Sequence, residues 1–498
     1  MLTIGIIILI FIISFKNLRP LLLNRISILI LIYSAILILQ IIMEGYDILI
    51  LGIEIYGGLT HLNITIILAQ ITILLCGAML LALGEWKNNK KEGISVPAEY
   101  NLIILISVLG STILLTSNDL VSIFLSIELQ SFPLYILASF YKWNKNDFLN
   151  GLDINRDNQS SIAAGLKYLY LGALSSSLLL LGSAIIYGYT GLTNLSDITL
   201  LIGVGIENDF ISLENISISY KLISGFMLIG IALLFKIGAV PFHNWAPDVY
   251  DGVPTIVTSW IAIMPKISII VFIAILYLGL GNCNYLGWNY LLLISSFGSL
   301  LIGSLLGLVQ YRIKRLLSYS SISHIGFILL NLGIINISGI GFTYFYLIVY
   351  VITSINIFLI IMSLNKSINI ETISQLKGQI IQNPILSIIL TICIFSLAGV
   401  PPFIGFFAKL YILLNAIDNS YYFLAFIAIF SSVISASVYL RFIKIIHFDE
   451  YININSALPY SIKLNESISS IISILTLFII TFIFYPQPIL FFINQLYL

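Results

Sequence analysis

The chain has 498 residues, of which 59% are hydrophobic and 9% charged, with 22 basic residues balancing 22 acidic ones and a mean hydropathy of +1.07. So apolar a composition exceeds what a soluble core buries and places the chain among polytopic membrane proteins. Zero net charge argues against nucleic acid as a partner, and long apolar runs in place of ten-residue alternating segments exclude an outer-membrane barrel.

A bilayer crossing takes about 20 apolar residues. The first run, 2–15, opens MLTIGIIILIFIISF. It has neither a basic n-region nor Arg/Ser-rich amphipathic character, and reads as a membrane segment rather than a cleaved signal or transit peptide. Further runs follow near 26–43, 60–83, 100–116, 119–141, 162–190, 222–250, 253–279, 287–311, 316–335, 340–364, 384–416, 420–446 and 467–494. The fold class is therefore an all-α polytopic membrane protein of about 14 transmembrane helices.

Basic residues gather after odd-numbered segments: Lys16, Arg19 and Arg25; Lys87, Lys90 and Lys91; Lys142, Lys145 and Arg156; Arg312, Lys314 and Arg315; Lys366 and Lys377; Arg441, Lys444 and Lys463. The positive-inside rule then puts both termini on the opposite, outer side. The loop after segment 7 breaks the pattern, being acidic through Asp248 and Asp251. Lys221 sits at a helix end, where its stem can snorkel.

Lys167, Lys236, Lys266 and Lys409 stand inside apolar segments, with Glu128 in segment 5 and His324 in segment 10. A charge at the bilayer centre costs about 2.5–3.5 kcal/mol, so such residues face the bundle interior and mark ion or proton paths. Burial favours a neutral amine and a carboxylate favours the ammonium. A lysine under both influences is switched by moving its partner. For one lysine a fixed ion pair is the lesser of the two readings; four in different helices weaken it much further.

Proline sharpens this reading. GAVPFHNW (238–245) interrupts segment 7 at Pro241, and AGVPPFIGFFAK (398–409) interrupts segment 12 at Pro401 and Pro402. Unwound backbone in a membrane is tolerated inside protein or beside water. The two breaks resemble each other, and DLVSIFLSIELQS (119–131) set against RLLSYSSISHIGF (315–327) puts Glu128 opposite His324. Paired breaks point to inverted repeats of five helices, 4–8 and 9–13. The chain then divides into 1–99 (helices 1–3), 100–279 (first repeat), 287–446 (second repeat) and 467–498 (last helix). His243, beside the first break, reads as a relay group. His61 and His447 read as ordinary interface residues, and Trp245, Trp260 and Trp288 as helix anchors.

Cys76, Cys283 and Cys393 form no CxxC, no Cys/His cluster could hold iron–sulfur or zinc, and no P-loop or GxGxxG follows a strand. Alone, the chain should neither hydrolyse ATP nor transfer electrons. Asn194-Leu-Ser and Asn215-Ile-Ser match the glycosylation sequon, as an Asn-rich chain does by chance.

The blocks LFKIGAVPFHNWAPDVYDGVPTIVTSWIAIMPKISI (234–269), FLSIELQSFPLYILASF (124–140), AGLKYLYLGALSSSLLLLGSAIIYGYTG (164–191), RLLSYSSISHIGF and LAGVPPFIGFFAKLY (397–411) carry a resemblance over roughly residues 60–450. The chain resembles the antiporter-like membrane-arm subunits of respiratory NADH:ubiquinone oxidoreductase, complex I, of the mitochondrial subunit 2 type. The loops at 142–161 and 192–218 fit it least and are read as places for accessory-subunit contacts. The resemblance implies fourteen helices with helices 7 and 12 broken. It implies proton translocation driven by NADH:ubiquinone electron transfer elsewhere in the complex, with FMN, iron–sulfur clusters and ubiquinone in other subunits and no cofactor in this chain. By motif position it makes Glu128 the helix-5 glutamate, Lys167 the helix-6 lysine that modulates the centre, and Lys236 the central lysine. Lys266 becomes the helix-8 connecting lysine, His324 a polar position on the axis between halves, and Lys409 the terminal lysine; His243 lies beside the central lysine. It also implies a multi-pass place in the mitochondrial inner membrane, with both termini toward the intermembrane space. The implied partners are neighbouring antiporter-like and small membrane subunits, accessory subunits and phospholipids such as cardiolipin. A stand-alone cation/proton antiporter would use the same lysines and breaks; a scaffold that no longer pumps and a lipid or small-solute transporter are the other readings.

Overall fold

The computed structural model describes residues 1–14, 20–82, 99–139, 153–207, 213–279, 287–334, 337–365, 371–449, 466–484 and 486. Lys16, Arg19, Lys87, Lys90, Lys91, Lys142, Lys145, Lys366, Lys463, Cys283 and the end of segment 14 lie outside them, as do the side chains of Arg156 and Asn215.

The helices are α1 (Leu2–Ser14), α2 (Pro20–Leu51), α3 (Ile64–Ala82), α4 (Glu99–Thr116), α5 (Leu120–Ser139), α6 (Asp153–Thr190), α7 (Leu195–Glu207), α8 (Leu213–Ile237), α9 (Trp245–Gly252) and α10 (Thr255–Gly279). They continue with α11 (Trp288–Val309), α12 (Ile313–Leu332), α13 (Ile337–Leu364), α14 (Gln379–Gln382), α15 (Pro384–Ala398), α16 (Ile404–Asp418), α17 (Tyr422–His447) and α18 (Glu466–Thr481). Among the described residues nine helices are long and apolar enough to cross a membrane on their own, and α1, α15 and α18 are shorter apolar helices. Segments 7 and 12 do not run through as single helices, because each is cut at its proline motif. α12 has its hydropathy lowered by Lys314, Arg315, His324 and a run of serines. Pro133 and Pro265 stay inside α5 and α10.

The chain forms two compact units, one of Met1–Gly238 with Met264–Leu291 and one of Ala239–Ile263 with Leu292–Leu498. The chain changes unit at the first proline break, where the backbone is free of helix.

In the first unit α6 packs along α8 and α5, α5 on α4, and α2 on α3. Two elements here were read as loop or span. A hairpin of β1 (Ile53–Ile55) and β2 (Thr60–Leu62) pairs Glu54 with His61, so the helix expected from residue 60 starts at Ile64. Gly57 and Gly58, at φ 67° and 90°, make the turn. α7 occupies part of the 192–218 loop. The Asn194 side chain joins these pieces: its Oδ1 accepts from Asn118 Nδ2 at 3.0 Å and Ser196 N at 3.1 Å, and its Nδ2 donates to the Gly58 carbonyl at 3.3 Å. The amide of this sequon match is spent on structure.

In the second unit α13 is the central element, packed against α12, α15, α16 and α18. α9 is tied to the start of α12 by charge. The Asp251 carboxylate accepts from Arg312 at 2.7 Å and Arg315 at 3.0 Å, Asp248 accepts from Arg315 at 3.3 Å, and Lys314 donates to the Val253 carbonyl at 2.6 Å. Beside Asp251 the Arg312 guanidinium is held above its ordinary pKa. This explains the acidic exception to the charge pattern: Asp248 and Asp251 are the counter-charges of the next basic cluster. Trp245, Trp260 and Trp288, expected as helix anchors, are all buried in the fold. Lys221 reaches over the Tyr189 ring at 4.6 Å, as a snorkelling lysine can.

Candidate functional site

The two broken helices end by the same local rule. α8 stops at Ile237 because Gly238 turns left-handed, φ 80°, and its N–H bonds the Leu234 and Phe235 carbonyls at 3.1 Å. α15 stops at Ala398 because Gly399 does likewise at φ 84°, its N–H bonding Phe395 at 3.0 Å and Ser396 at 3.1 Å. A glycine in this conformation is the usual stop for a helix, and proline follows within three residues at both places. Each stop leaves carbonyls of the last turn unbonded and carries the negative end of the helix dipole. A buried lysine sits at each.

At the first, Lys236 lies in the last turn of α8 and is buried. Its Nζ donates to the Tyr135 hydroxyl at 2.9 Å and lies 3.9 Å from Glu128 Oε1. The second distance is a close charge pair but not a hydrogen bond, and Glu128 Oε1 is buried without a hydrogen-bond partner among the described residues. Glu128 and Tyr135 are seven residues apart on α5, two turns, so they share the face that meets α8. Two residues beyond Glu128, Gln130 donates to Ser268 Oγ of α10 at 2.8 Å. Lys266, one turn-half before Ser268, is 3% exposed.

Lys167 departs from expectation. It is exposed on α6, beside exposed Leu166, Leu169 and Tyr170. The buried stripe of that helix runs through Ser161, Ala164, Gly165 and Tyr168, and Lys167 falls one residue off it, about 100° round the helix.

In the second unit Lys409, on α16, reaches back across the break and donates to the Leu397 and Ala398 carbonyls at 2.9 and 2.8 Å. Its Nζ is also 5.4 Å from the centre of the Phe327 ring. The ammonium thus caps α15 from a neighbouring helix. His324, on α12, is 5% exposed, and its Nδ1 lies 2.7 Å from the Tyr346 hydroxyl. Tyr350 stacks obliquely on it at 5.6 Å. Tyr250, Ser320, Ser321, Tyr350 and Ser354 line a space of about 20 Å³, enough for a water, which needs roughly 10–15 Å³ and polar partners. His243 stands in the turn before α9, 9% exposed, with Nδ1 lacking a hydrogen-bond partner among the described residues.

Of the seven candidates, then, the first unit holds Glu128, Lys167, Lys236 and Lys266, and the second holds His243, His324 and Lys409. Glu128 and Lys236 come together as a pair. Tyr135, Gln130 and Tyr346 were missed. The seven-residue step from Glu128 was the one available signal for Tyr135; an interior glutamine in the same segment was the signal for Gln130. Among the described residues no three His, Cys, Asp or Glu side chains converge as a metal site. The arrangement can hold and pass protons.

A family model described as NADH:quinone oxidoreductase/Mrp antiporter, transmembrane, matches residues 117–435. NADH-ubiquinone oxidoreductase chain 2 of Rhizopus oryzae is 43% identical, covering 94% of this chain and 93% of its own. A chain of respiratory complex I from Thermus thermophilus with bound aureothin shares the fold with a TM-score of 0.76 at 22% identity, over 98% of this chain and 97% of that one. A chain of the Mrp complex from Dietzia sp. DQ12-45-1b does so with a TM-score of 0.79 at 18% identity, over 99% and 95%.

Proposed function

The chain belongs to the NADH:quinone oxidoreductase/Mrp antiporter family, and from that premise we propose that it is a proton-translocating, subunit 2-type component of a complex I membrane arm. The observation that carries this is the buried Lys236–Glu128 pair at a broken helix, 3.9 Å apart. A lysine at the C-terminal end of α8 has the dipole and the carboxylate in its favour and burial against it. Movement of Glu128 toward or away from it decides whether Lys236 keeps its proton.

In this scheme Lys236 takes a proton when Glu128 approaches and yields it when Glu128 withdraws. Lys266 and His243 carry it onward, His324 with its tyrosine and serine surroundings is the next station, and Lys409 is the last. Glu128 leaves Lys167 as it turns toward Lys236, or the reverse. FMN, iron–sulfur clusters and ubiquinone belong to other subunits, whose electron transfer drives the movement. The location is the mitochondrial inner membrane. The cluster of Arg312, Lys314 and Arg315, with Lys377, Arg441 and Lys444, supports termini toward the intermembrane space. Neighbouring antiporter-like, small membrane and accessory subunits, and phospholipids such as cardiolipin, are the partners.

The test is gentle extraction, a native gel stained for NADH oxidation, and mass spectrometry of the stained band, followed by Lys236→Ala scored as protons moved per NADH. Comigration with a large NADH-oxidising species and loss of pumping are expected. A small free species would favour the stand-alone cation/proton antiporter, for which the likeness to the Mrp chain speaks at the level of fold. Unchanged pumping in Lys236→Ala would sink the scheme.

A further inference from the structure

We propose that Tyr135 is a positioning residue for proton transfer at Lys236, its hydroxyl holding the lysine within reach of Glu128 but short of contact. The inference rests on the proton-translocating reading of this pair.

Lys236 has two partners on α5 and bonds the neutral one. Its Nζ is 2.9 Å from the Tyr135 hydroxyl and 3.9 Å from Glu128 Oε1. A relaxed ammonium–carboxylate hydrogen bond is about 2.7–2.9 Å long, so the ion pair stands open by roughly 1 Å. Lysine's four-carbon stem is flexible enough to close such a gap. The phenol is what holds it open.

The phenol is itself fixed. Tyr135 is 5% exposed, and its ring packs edge-on against Tyr168 of α6, centroids 4.7 Å apart at 87°. One turn further along α6, Gly172 leaves the space the hydroxyl fills; a Cβ there would overlap it. Three helices therefore meet at one oxygen: α5 supplies it, α6 shapes its seat and α8 brings the lysine. Tyr168 directly follows Lys167, so a shift of α6 at Lys167 is transmitted through two rings to Lys236.

The chemistry suits a switch. A phenol accepts a hydrogen bond from an ammonium and donates one to a neutral amine, so Lys236 keeps its partner in either protonation state. A tight buried ion pair would instead be costly to open. The titratable groups facing Lys236 are Glu128 and Tyr135 of α5; Tyr168 of α6 touches Tyr135, and among the described residues of this unit Lys266 of α10 and Asp119 are also buried.

The experiment is Tyr135→Phe in the intact complex, with protons per NADH measured across pH, beside Gly172→Ala and Lys236→Ala. Tyr135→Phe lets Lys236 close on Glu128. Pumping is expected to fall on the order of a hundredfold near neutral pH, the scale of a 1 Å misplacement, with a pH profile displaced from that of the unaltered complex. Gly172→Ala, which displaces the hydroxyl without removing it, is expected to reproduce both effects. A loss equal at every pH in both variants would mean a packing role and overturn the proposal, as would normal pumping in either assembled variant. Failure of the underlying reading is separate and shows as normal pumping in Lys236→Ala.

Discussion

Lys409 and Gly399 are in contact at the second helix break: a Cβ on Gly399 would stand 2.9 Å from Lys409 Cδ and 3.3 Å from Nζ. Gly399 is also left-handed, at φ 84°. Gly399→Ala should therefore act twice. The backbone costs about 1–2 kcal/mol, and the methyl group pushes the ammonium off the Leu397 and Ala398 carbonyls. The expected outcome is a lower thermal inactivation temperature and reduced protons per NADH; pumping like the unaltered protein would show that the glycine does not set the position of Lys409.

Glu128→Gln keeps the size of the side chain and removes its charge. Lys236 is then left buried with the Tyr135 hydroxyl as its hydrogen-bond partner among the described residues. Breaking a buried pair from one side costs about 3–5 kcal/mol at full burial, and Glu128 keeps 13% side-chain exposure, so the lower end is expected. Pumping should fall while electron transfer to an artificial acceptor persists. Proton-to-NADH ratios and thermal inactivation check both halves.

The aspartates of α9 should rank unequally. Asp251 receives two arginines at 2.7 and 3.0 Å and its side chain is 12% exposed, whereas Asp248 receives one at 3.3 Å and is 40% exposed. Exposed pairs contribute at most about 1 kcal/mol and often nothing measurable. Asp251→Ala should thus lower thermal stability clearly and Asp248→Ala barely, as followed by a thermal ramp on the purified complex. Equal effects would refute the latch between α9 and α12.

His61, in the hairpin, has its pKa lowered from the usual 6.5 by burial, with Glu54 opposing. The folded hairpin therefore binds that proton less readily than the open chain does. By linkage its contribution is complete above pH 6.5 and declines as pH falls below it. Hydrogen exchange over residues 53–62 should accelerate on acidification, and more so in Glu54→Gln, where the opposing charge is gone. Exchange independent of pH, once corrected for intrinsic rates, would contradict this.

How much of this was written in the residues varies by kind. Both breaks were legible, since proline and glycine act through backbone geometry that needs no neighbours. Interior charge was legible as a cost, which found Glu128, Lys236, Lys266 and Lys409. The exposure of Lys167 was not legible because hydropathy averages over all faces of a helix; one residue's rotation separates it from buried Tyr168. Tyr135 was hidden because a tyrosine in an apolar run looks like packing, and its hydroxyl matters through Gly172 on another helix. The carbonyl partners of Lys409 belong to the backbone of residues 397 and 398, and no side-chain pattern encodes them. The hairpin was overlooked because its strands are three residues each.

The bonds of Lys409 to backbone carbonyls set it apart from Lys236 in one further respect. Glu128 is carried on a flexible side chain, so the carboxylate beside Lys236 can swing toward it or away. The Leu397 and Ala398 carbonyls belong to the backbone, so the partners of Lys409 stay where the helix end puts them. Of the two lysines, one rests on an adjustable counterweight and the other on a fixed one.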